Sequence, residues 1–275
     1  MYKSKIYVPH KLQGRLLAWY HKYLCHPGGD RLAQTLKQVC YWKGMTSQAL
    51  QYCKRCPVYQ KFKKSKTRYK EVPPKDILDE MELWKIIHID LIGPYTVKAK
   101  QEVCRQKTKQ VQLELRAMTM VDPATGWCEI AEVPSNDVGS ARISQIFNNT
   151  WLSRYPQPTR VVYNPGSEFK SHFKELILDY GIKPSPIKAK NPQANAIVER
   201  VHQVVQNMLR TKDLNNHTFD YHNPWDEMLA SIAWAIRTSY HSTKEATPAQ
   251  LVFRRDMILN MAYIADWKNL ANKRQ

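Results

Sequence analysis

The chain has 275 residues and a formal net charge of +18, from 42 Lys and Arg against 24 Asp and Glu. Hydrophobic residues make up 43% of it, which excludes a disordered basic tail, and no apolar run approaches the roughly 18 residues that a membrane span needs. The composition therefore predicts a globular intracellular protein that is attracted to polyanions, nucleic acid first.

The positive charge is concentrated in the first quarter of the chain. Residues 1–75 hold 17 Lys and Arg against Asp30 and Glu71, a net charge of +15, whereas residues 76–275 have a net charge of only +3. Aromatic side chains interleave with the densest basic run, which favours stacking on nucleic-acid bases, although a solvated linker has the same charge pattern. The basic residues of the run are Lys61, Lys63, Lys64, Lys66, Arg68 and Lys70, and the aromatic ones are Tyr52, Tyr59, Phe62 and Tyr69.

The first predicted elements are two short helices. Leu32, Leu36 and Val39 recur at helical spacing and predict an amphipathic helix over residues 31–41, after a Pro-Gly-Gly turn. Ser47 is expected to cap a second helix that runs towards Cys53. Because two short helices bury too little apolar surface to be stable alone, this module needs an additional stabilising cross-link.

Two histidines and two cysteines are candidates for that cross-link. His21 and His26 are separated by four residues, and Cys53 and Cys56 by two. Two imidazoles and two thiolates suit tetrahedral zinc, and the paired histidines favour zinc over the alternative of a redox-active cysteine pair. The spacing therefore predicts a structural zinc ion in the N-terminal module.

From Trp84 onwards the pattern is that of an α/β domain. An apolar run that carries Asp90 and ends at Gly93-Pro94 is predicted to be a strand. The further strands are expected over residues 117–121, 128–133 and 160–163, and the helices over 140–155, 173–180, 193–210 and 225–240.

Two carboxylates of this domain are candidates for a shared site. Asp90 lies inside a strand, where a buried lone charge is costly, and Glu199 lies on the helix over 193–210, off its apolar stripe. Each residue alone is ordinary, but together they favour an acidic, metal-binding site for phosphoryl transfer. The apolar stripe consists of Val198, Val201, Val205 and Met208, and the other residues of the polar face are Gln203, Gln206 and Arg210.

Motifs along the whole chain resemble the integrases of gypsy-type LTR retrotransposons, which are relatives of the retroviral integrases. The similarity runs from Ile6 to Asp266, and its motifs are WYHKYLCHPGGDR, YCKRCPVYQKFK, HIDLIGPY, MVDPATGW, YNPGSEFKSHF, NPQANAIVERVHQVVQNMLR and ATPAQLVF. The resemblance implies a small helical His-His-Cys-Cys zinc domain and a ribonuclease-H-like core, in which helices flank a mixed sheet. It also implies an Asp, Asp, Glu triad that binds two Mg²⁺ or Mn²⁺ ions for 3′-end processing and strand transfer into target DNA.

The catalytic triad of the family is incomplete in this chain. Matched residue by residue, it falls on Asp90, Asn164 and Glu199, so that an amide replaces the second carboxylate. An amide oxygen ligates a cation only as a neutral dipole, and we therefore expect weakened metal binding and a severely impaired or inactive site.

Two further positions depart from the family. The last cysteine of the zinc motif falls on Tyr59, and Cys53 then becomes the alternative fourth ligand beside Cys56 and the two histidines. Arg254 stands where the resembling sequences usually have Gly.

The resemblance and the position of Glu199 also predict a DNA-binding surface around the long helix. DNA, both element ends and target, is the expected partner, together with further copies of the chain, in the nucleus or in a retrotransposon particle. The alternative is a catalytically inactive DNA-binding or self-assembling protein derived from an integrase. The predicted DNA contacts are Lys188, Lys190, Asn191, Gln193, Asn195, Arg200, Gln203 and Arg210.

These features predict a domain organisation in five parts. The small tail domain that the family carries after its core is expected to be absent or truncated. The parts are an N-terminal extension (1–16), a zinc-binding domain (17–62), a basic linker (63–83), a ribonuclease-H-like catalytic core (84–240) and a C-terminal extension (241–275).

Overall fold

The computed structural model describes two compact units. One comprises the chain up to Ile77 together with the chain from Trp234 onwards, and the other comprises Leu78–Ala233. No helix among the described residues is long and apolar enough to cross a membrane. The basic run over 63–70 and almost all of the predicted linker lie outside the described residues, which are 5–62, 82–103, 107–187, 196–211, 219–220, 224–225 and 227–263.

Helices dominate the N-terminal part of the first unit. In chain order its elements are β1 (Ile6–Tyr7), α1 (His10–Tyr23), α2 (Gly29–Val39), β2 (Cys40–Tyr41), α3 (Met45–Arg55) and α4 (Pro57–Phe62). The helix predicted over 31–41 is confirmed as α2, which ends at Val39 because the next two residues pair in parallel with β1. Leu32 and Leu36 are fully buried and Val39 nearly so, as their spacing indicated.

The start of α3 differs from the prediction. The helix begins at Met45, two residues before Ser47, so the prediction that Ser47 caps it is wrong. Gly44 holds the N-cap position at φ +82°, a left-handed conformation that glycine adopts without a steric penalty. The Ser47 hydroxyl instead donates a hydrogen bond of 2.8 Å to the Gly44 carbonyl.

A mixed sheet organises the second unit. Its main strands are β3 (Ile86–Val103), β4 (Lys107–Val121), β5 (Cys128–Val133), β6 (Arg160–Tyr163) and β7 (Lys183–Pro186), and β8 (Phe219–Asp220) pairs with the far end of β3. The spatial order is β5-β4-β3-β6-β7, in which β3, β4 and β5 are antiparallel while β6 and β7 continue in parallel from β3. This order, with helices around the sheet, is the ribonuclease-H-like core that the resemblance implied.

The helices of the second unit complete this core. They are α5 (Ser140–Phe147), α6 (His172–Asp179), α7 (Ala196–Thr211) and the start of α8 (Met228–Thr238). On α7, Val198 and Val205 are fully buried and Met208 nearly so, whereas Val201 is only partly covered. The apolar stripe therefore packs inwards and leaves the Glu199 face outside it.

The helix predicted over 140–155 changes character along its length. After α5 the chain forms a π-helical turn over Asn148–Leu152, and Trp151 in that turn is fully buried. Its ring lies 5.7 Å from that of Trp84 and 4.9 Å from that of Tyr155, measured between centroids. The wider turn thus places a large aromatic ring in the core.

The chain after α8 packs with the N-terminal helices rather than with the core. The Tyr240 backbone N–H donates a hydrogen bond of 3.0 Å to the Thr35 hydroxyl on α2. Ile258, Leu259 and Met261 pack against the buried cluster around α1, α2 and α3. The described part of the segment predicted as a C-terminal extension therefore belongs to the same compact unit as the zinc-motif residues, a grouping that starts at Trp234.

A short helix within this segment ends at the residue where the family usually has glycine. α9 (Pro248–Phe253) begins with a capping box, in which Thr247 and Gln250 satisfy each other's backbone N–H groups. Its C-cap is Arg254, at φ +54°, in the left-handed region. The position therefore has the conformation that favours Gly, and Arg occupies it at a steric cost.

We predict that Arg254→Gly stabilises the protein by about 0.5–1 kcal/mol, because relief of the left-handed penalty exceeds the extra chain entropy that glycine loses on folding. Urea denaturation of the variant and the parent measures this difference. Arg254→Ala is the matched control and gains nothing, since alanine keeps a Cβ. Equal effects of the two substitutions would refute the explanation.

Candidate functional site

The first two triad positions lie side by side at the ends of two neighbouring strands. β3 and β6 are parallel, and their last paired residues are Ile89 and Tyr163, so Asp90 and Asn164 follow at the same level of the sheet. The Asn164 Nδ2 donates a hydrogen bond of 3.0 Å to Asp90 Oδ1, and the backbone N–H of Leu91 donates another of 2.9 Å to the same oxygen. One carboxylate oxygen of Asp90 thus accepts two protein N–H groups.

Helix α7 brings the third triad position to the same part of the sheet. His202 on α7 places its Nδ1 3.9 Å from Asp90 Oδ2. Glu199 lies three residues earlier, which is about one helical turn, and therefore shares the face of α7 that His202 directs towards β3. The Glu199 side chain is exposed, whereas Asp90 and Asn164 are half-buried.

A threonine links this helix to the sheet. Thr119 on β4 is directly opposite Asp90 in the register, is fully buried, and donates a hydrogen bond of 3.0 Å to the Asp90 carbonyl. Its hydroxyl lies 2.7 Å from His202 Nε2. Because the single hydroxyl proton is already donated to the carbonyl, His202 must donate its Nε2–H to Thr119. Burial lowers the pKa of His202, and the Asp90 carboxylate opposes this shift.

Sequence reasoning missed both His202 and Thr119. His202 was identifiable from its spacing, since a residue three positions after Glu199 falls on the same helical face. Thr119 gave no such signal, because its pairing with Asp90 joins residues far apart in the chain.

The catalytic divalent ions of the family do not fit this arrangement as it stands. Ligation by Asn164 requires its amide oxygen, yet the end that faces Asp90 is the N–H donor. The Asp90 oxygen that would ligate beside it already accepts two hydrogen bonds. The structure therefore shows a hydrogen-bonded Asp–Asn pair where the resemblance implies two carboxylates.

The predicted DNA contacts are described only in part. Lys188, Lys190, Asn191, Gln193 and Asn195 lie outside the described residues. Arg200 and Gln203 lie on α7, and the Gln203 side chain is exposed. Arg210 lies in the last turn of the same helix and is close enough to Tyr95 on β3 to oppose the rise in the pKa of Tyr95 that burial causes.

Three of the four candidate zinc ligands form a compact group in the first unit, and the fourth, Cys53, contacts one of them. α1 carries His21 near its end, the following turn carries His26, and Cys53 and Cys56 lie at the end of α3. His21 Nδ1 is 3.3 Å from Cys53 Sγ, and His26 Nδ1 is 3.4 Å from Cys56 Sγ. Candidate ligand atoms of His21, His26 and Cys56 all lie within 4.8 Å of one another. A tetrahedral zinc with ligand bonds of about 2.0–2.3 Å needs separations of this size.

The protonation of His21 suits zinc ligation, whereas that of Cys53 has to change for ligation. Burial, aided by His26, lowers the pKa of His21 to about 4, so that its imidazole is neutral and able to ligate. Its Nε2 is buried and has no hydrogen-bond partner. Burial and the neighbouring Cys56 raise the pKa of Cys53 to about 12, so that this thiol keeps its proton until a cation displaces it.

Tyr59 lies at the margin of this cluster. The Tyr59 backbone N–H donates a hydrogen bond of 3.4 Å to Cys56 Sγ. The Tyr59 hydroxyl lies beside Gly28, so close that a Cβ atom added to this glycine would be 3.1 Å from the hydroxyl oxygen. The thiol beside His21 belongs to Cys53, which is 1% exposed. Cys53 lies outside the group formed by His21, His26 and Cys56, and its thiol donates a hydrogen bond of 3.4 Å to the Pro27 carbonyl, so ligation by Cys53 requires its Sγ to turn from that carbonyl towards the group.

Comparison with known proteins finds similarities to integrases in both parts of the chain. Residues 8–65 match the integrase zinc-binding domain family. A solved structure of the catalytic core domain of BIV integrase is similar, with a TM-score of 0.43 and 14% identity over 62% of this chain and 94% of that one.

The resemblance to gypsy-type LTR retrotransposon integrases is confirmed by curated relatives. The chain is 24% identical over 235 residues to the gypsy retrotransposon integrase-like protein 1 of Bos taurus, covering 84% of this chain and 42% of that protein. It is 21% identical over 258 residues to the transposon Tf2-3 polyprotein of Schizosaccharomyces pombe, covering 92% of this chain and 18% of the polyprotein. The chain thus spans less than half the length of these relatives.

We predict that the purified chain contains a single zinc ion and that Cys53→Ser loses it, because the buried His21 then lacks its thiolate neighbour. Elemental analysis after dialysis against a weak chelator measures the metal. Tyr59→Phe is the matched control and retains the ion. Retention by Cys53→Ser, or loss in Tyr59→Phe, would contradict this ligand set.

Proposed function

We propose that this chain is an integrase-derived protein that binds DNA and whose capacity for 3′-end processing and strand transfer is severely reduced. The observation that carries the proposal is the hydrogen bond from the Asn164 amide to Asp90 at the position of the paired carboxylates. In this proposal Asp90, Asn164 and Glu199 occupy the three positions of the family's Asp, Asp, Glu triad.

The reduction in activity follows from charge. Two divalent cations and a DNA phosphate need the compensation of several anionic oxygens, and the change from Asp to Asn removes one negative charge from three. The remaining carboxylates are Asp90, whose Oδ1 is held by N–H donors, and Glu199, which is exposed. Binding of Mg²⁺ or Mn²⁺ is therefore weak, and so is any phosphoryl transfer that depends on it.

DNA binding does not need the triad. The net charge of +18, of which +15 lies in residues 1–75, supports sequence-independent attraction to phosphates. Exposed Gln203 on α7, beside Glu199, supports a second contact surface on the core. The predicted contacts in residues 188–195 would extend this surface.

Zinc is proposed as a structural cofactor that holds the N-terminal module. We further propose that DNA, as element ends and as target, is the partner of this module and of the core, and that copies of the chain assemble on it. The nucleus, or a retrotransposon particle, is the corresponding location.

A paired strand-transfer assay tests the catalytic part of the proposal. With Mn²⁺ and a labelled DNA end, the parent chain is expected to give at most about a hundredth of the product of Asn164→Asp, because the variant regains the second carboxylate. Asn164→Asp combined with Asp90→Asn is the control and returns to the parent level. Comparable rates in the parent and in Asn164→Asp would overturn the proposal.

Salt dependence of binding tests the DNA-binding part. The affinity for a DNA duplex should fall steeply with salt, and Lys11→Gln, Lys43→Gln and Lys61→Gln together should weaken it at least about tenfold and flatten the slope. The control removes the same charge from exposed lysines of the core, Lys170, Lys174 and Lys183, and has a smaller effect. Salt-independent binding, or equal losses in both variants, would contradict a DNA-facing N-terminal module.

A further inference from the structure

The side chains around Asp90 come from three separate elements of the core. Asn164 follows β6, Thr119 lies on β4 and His202 lies on α7, while Asp90 itself is on the central strand β3. The hydrogen bonds that join these groups are 2.7–3.0 Å long, and His202 Nδ1 lies 3.9 Å from Asp90 Oδ2.

The Asn164 contact replaces a repulsion. Two carboxylates at this separation would repel each other in a partly buried site, and a cation between them would be needed to hold both in place. An amide N–H facing a carboxylate is attractive without any ion, because a charged acceptor strengthens the hydrogen bond. The end of β6 is therefore tied to β3 by the protein itself.

The His202 contact fixes the helix in a similar way. The imidazole donates to the Thr119 hydroxyl, which in turn donates to the Asp90 carbonyl, so that α7 is joined to β4 and β3 through a short chain of hydrogen bonds. Thr119 is fully buried, and His202 is 13% exposed. A broken link would leave buried polar atoms without partners, which is costly.

We infer that His202, Thr119 and Asn164 are positioning residues that hold α7 and the end of β6 against β3 without a divalent cation. The inference rests on the proposed descent of Asp90, Asn164 and Glu199 from the triad. It adds that the lost metal site has become a self-contained polar junction, which makes the stability of the core insensitive to Mg²⁺.

Thermal unfolding of the zinc-loaded full chain, with and without millimolar MgCl₂ and in the absence of DNA, tests this inference. The parent Tm is expected to be unchanged by Mg²⁺. Asn164→Asp is expected to melt lower than the parent without Mg²⁺ and to recover by about 2–4 °C when it is added. Glu199→Gln in the Asn164→Asp background removes the recovery. A Mg²⁺-dependent rise of the parent Tm, or no response in Asn164→Asp, would overturn the inference.

Hydrogen–deuterium exchange of α7 provides an independent test that remains informative if Asn164→Asp does not fold. His202→Ala is expected to raise exchange across 196–211 by on the order of tenfold, with little change in α2. His202→Asn, which keeps a short N–H donor, should restore part of the protection. Unchanged exchange in His202→Ala would overturn the positioning role.

The two proposals fail in different ways. A parent chain that is inactive on DNA yet stabilised by Mg²⁺ would leave the proposed function standing and remove the inference. A chain that transfers strands efficiently, but whose Tm in the absence of DNA does not change with Mg²⁺, would remove the proposed function and leave the inference standing.

Discussion

The hydrogen bond between the Asn164 amide and the Asp90 carboxylate joins the ends of two neighbouring strands of the core. Both residues directly follow the paired stretch of the parallel strands β3 and β6. Because the amide presents a donor to the carboxylate, the pair is attractive on its own and supplies one negative charge fewer to a cation. The pair therefore ties the end of β6 to β3 without an ion.

The two units use opposite solutions to the problem of buried polar groups. In the first unit His21 and Cys53 are buried. The zinc proposed to bind there would supply a partner for these imidazole and thiol groups, which are costly to bury without one. In the second unit, His202 and Thr119 satisfy each other and the Asp90 backbone directly. Metal removal is therefore expected to affect the units differently.

Sequence patterns predicted the parts of this structure that depend on local spacing. The stripe of α2, the strand that carries Asp90 and the inward face of α7 follow from periodicity, and the resemblance located Asn164. The start of α3 was misplaced because the left-handed conformation of Gly44 overrides the capping preference of Ser47. The pairing of Thr119 with Asp90 and the hydrogen bond of Tyr240 to Thr35 could not be predicted from local spacing, since both join residues that only the tertiary fold brings together.

The central claim is that the Asp–Asn pair, with its neighbours, binds divalent cations too weakly to hold one at the Asp90 site. Anomalous diffraction from crystals of the zinc-loaded protein soaked in MnCl₂ tests this claim most directly, because manganese and zinc are distinguished by their absorption edges. The structure predicts no manganese peak within ligand distance of Asp90, and a zinc peak among His21, His26, Cys53 and Cys56. A manganese peak that bridges Asp90 and Glu199, with the Asn164 amide turned to offer its oxygen, would contradict it.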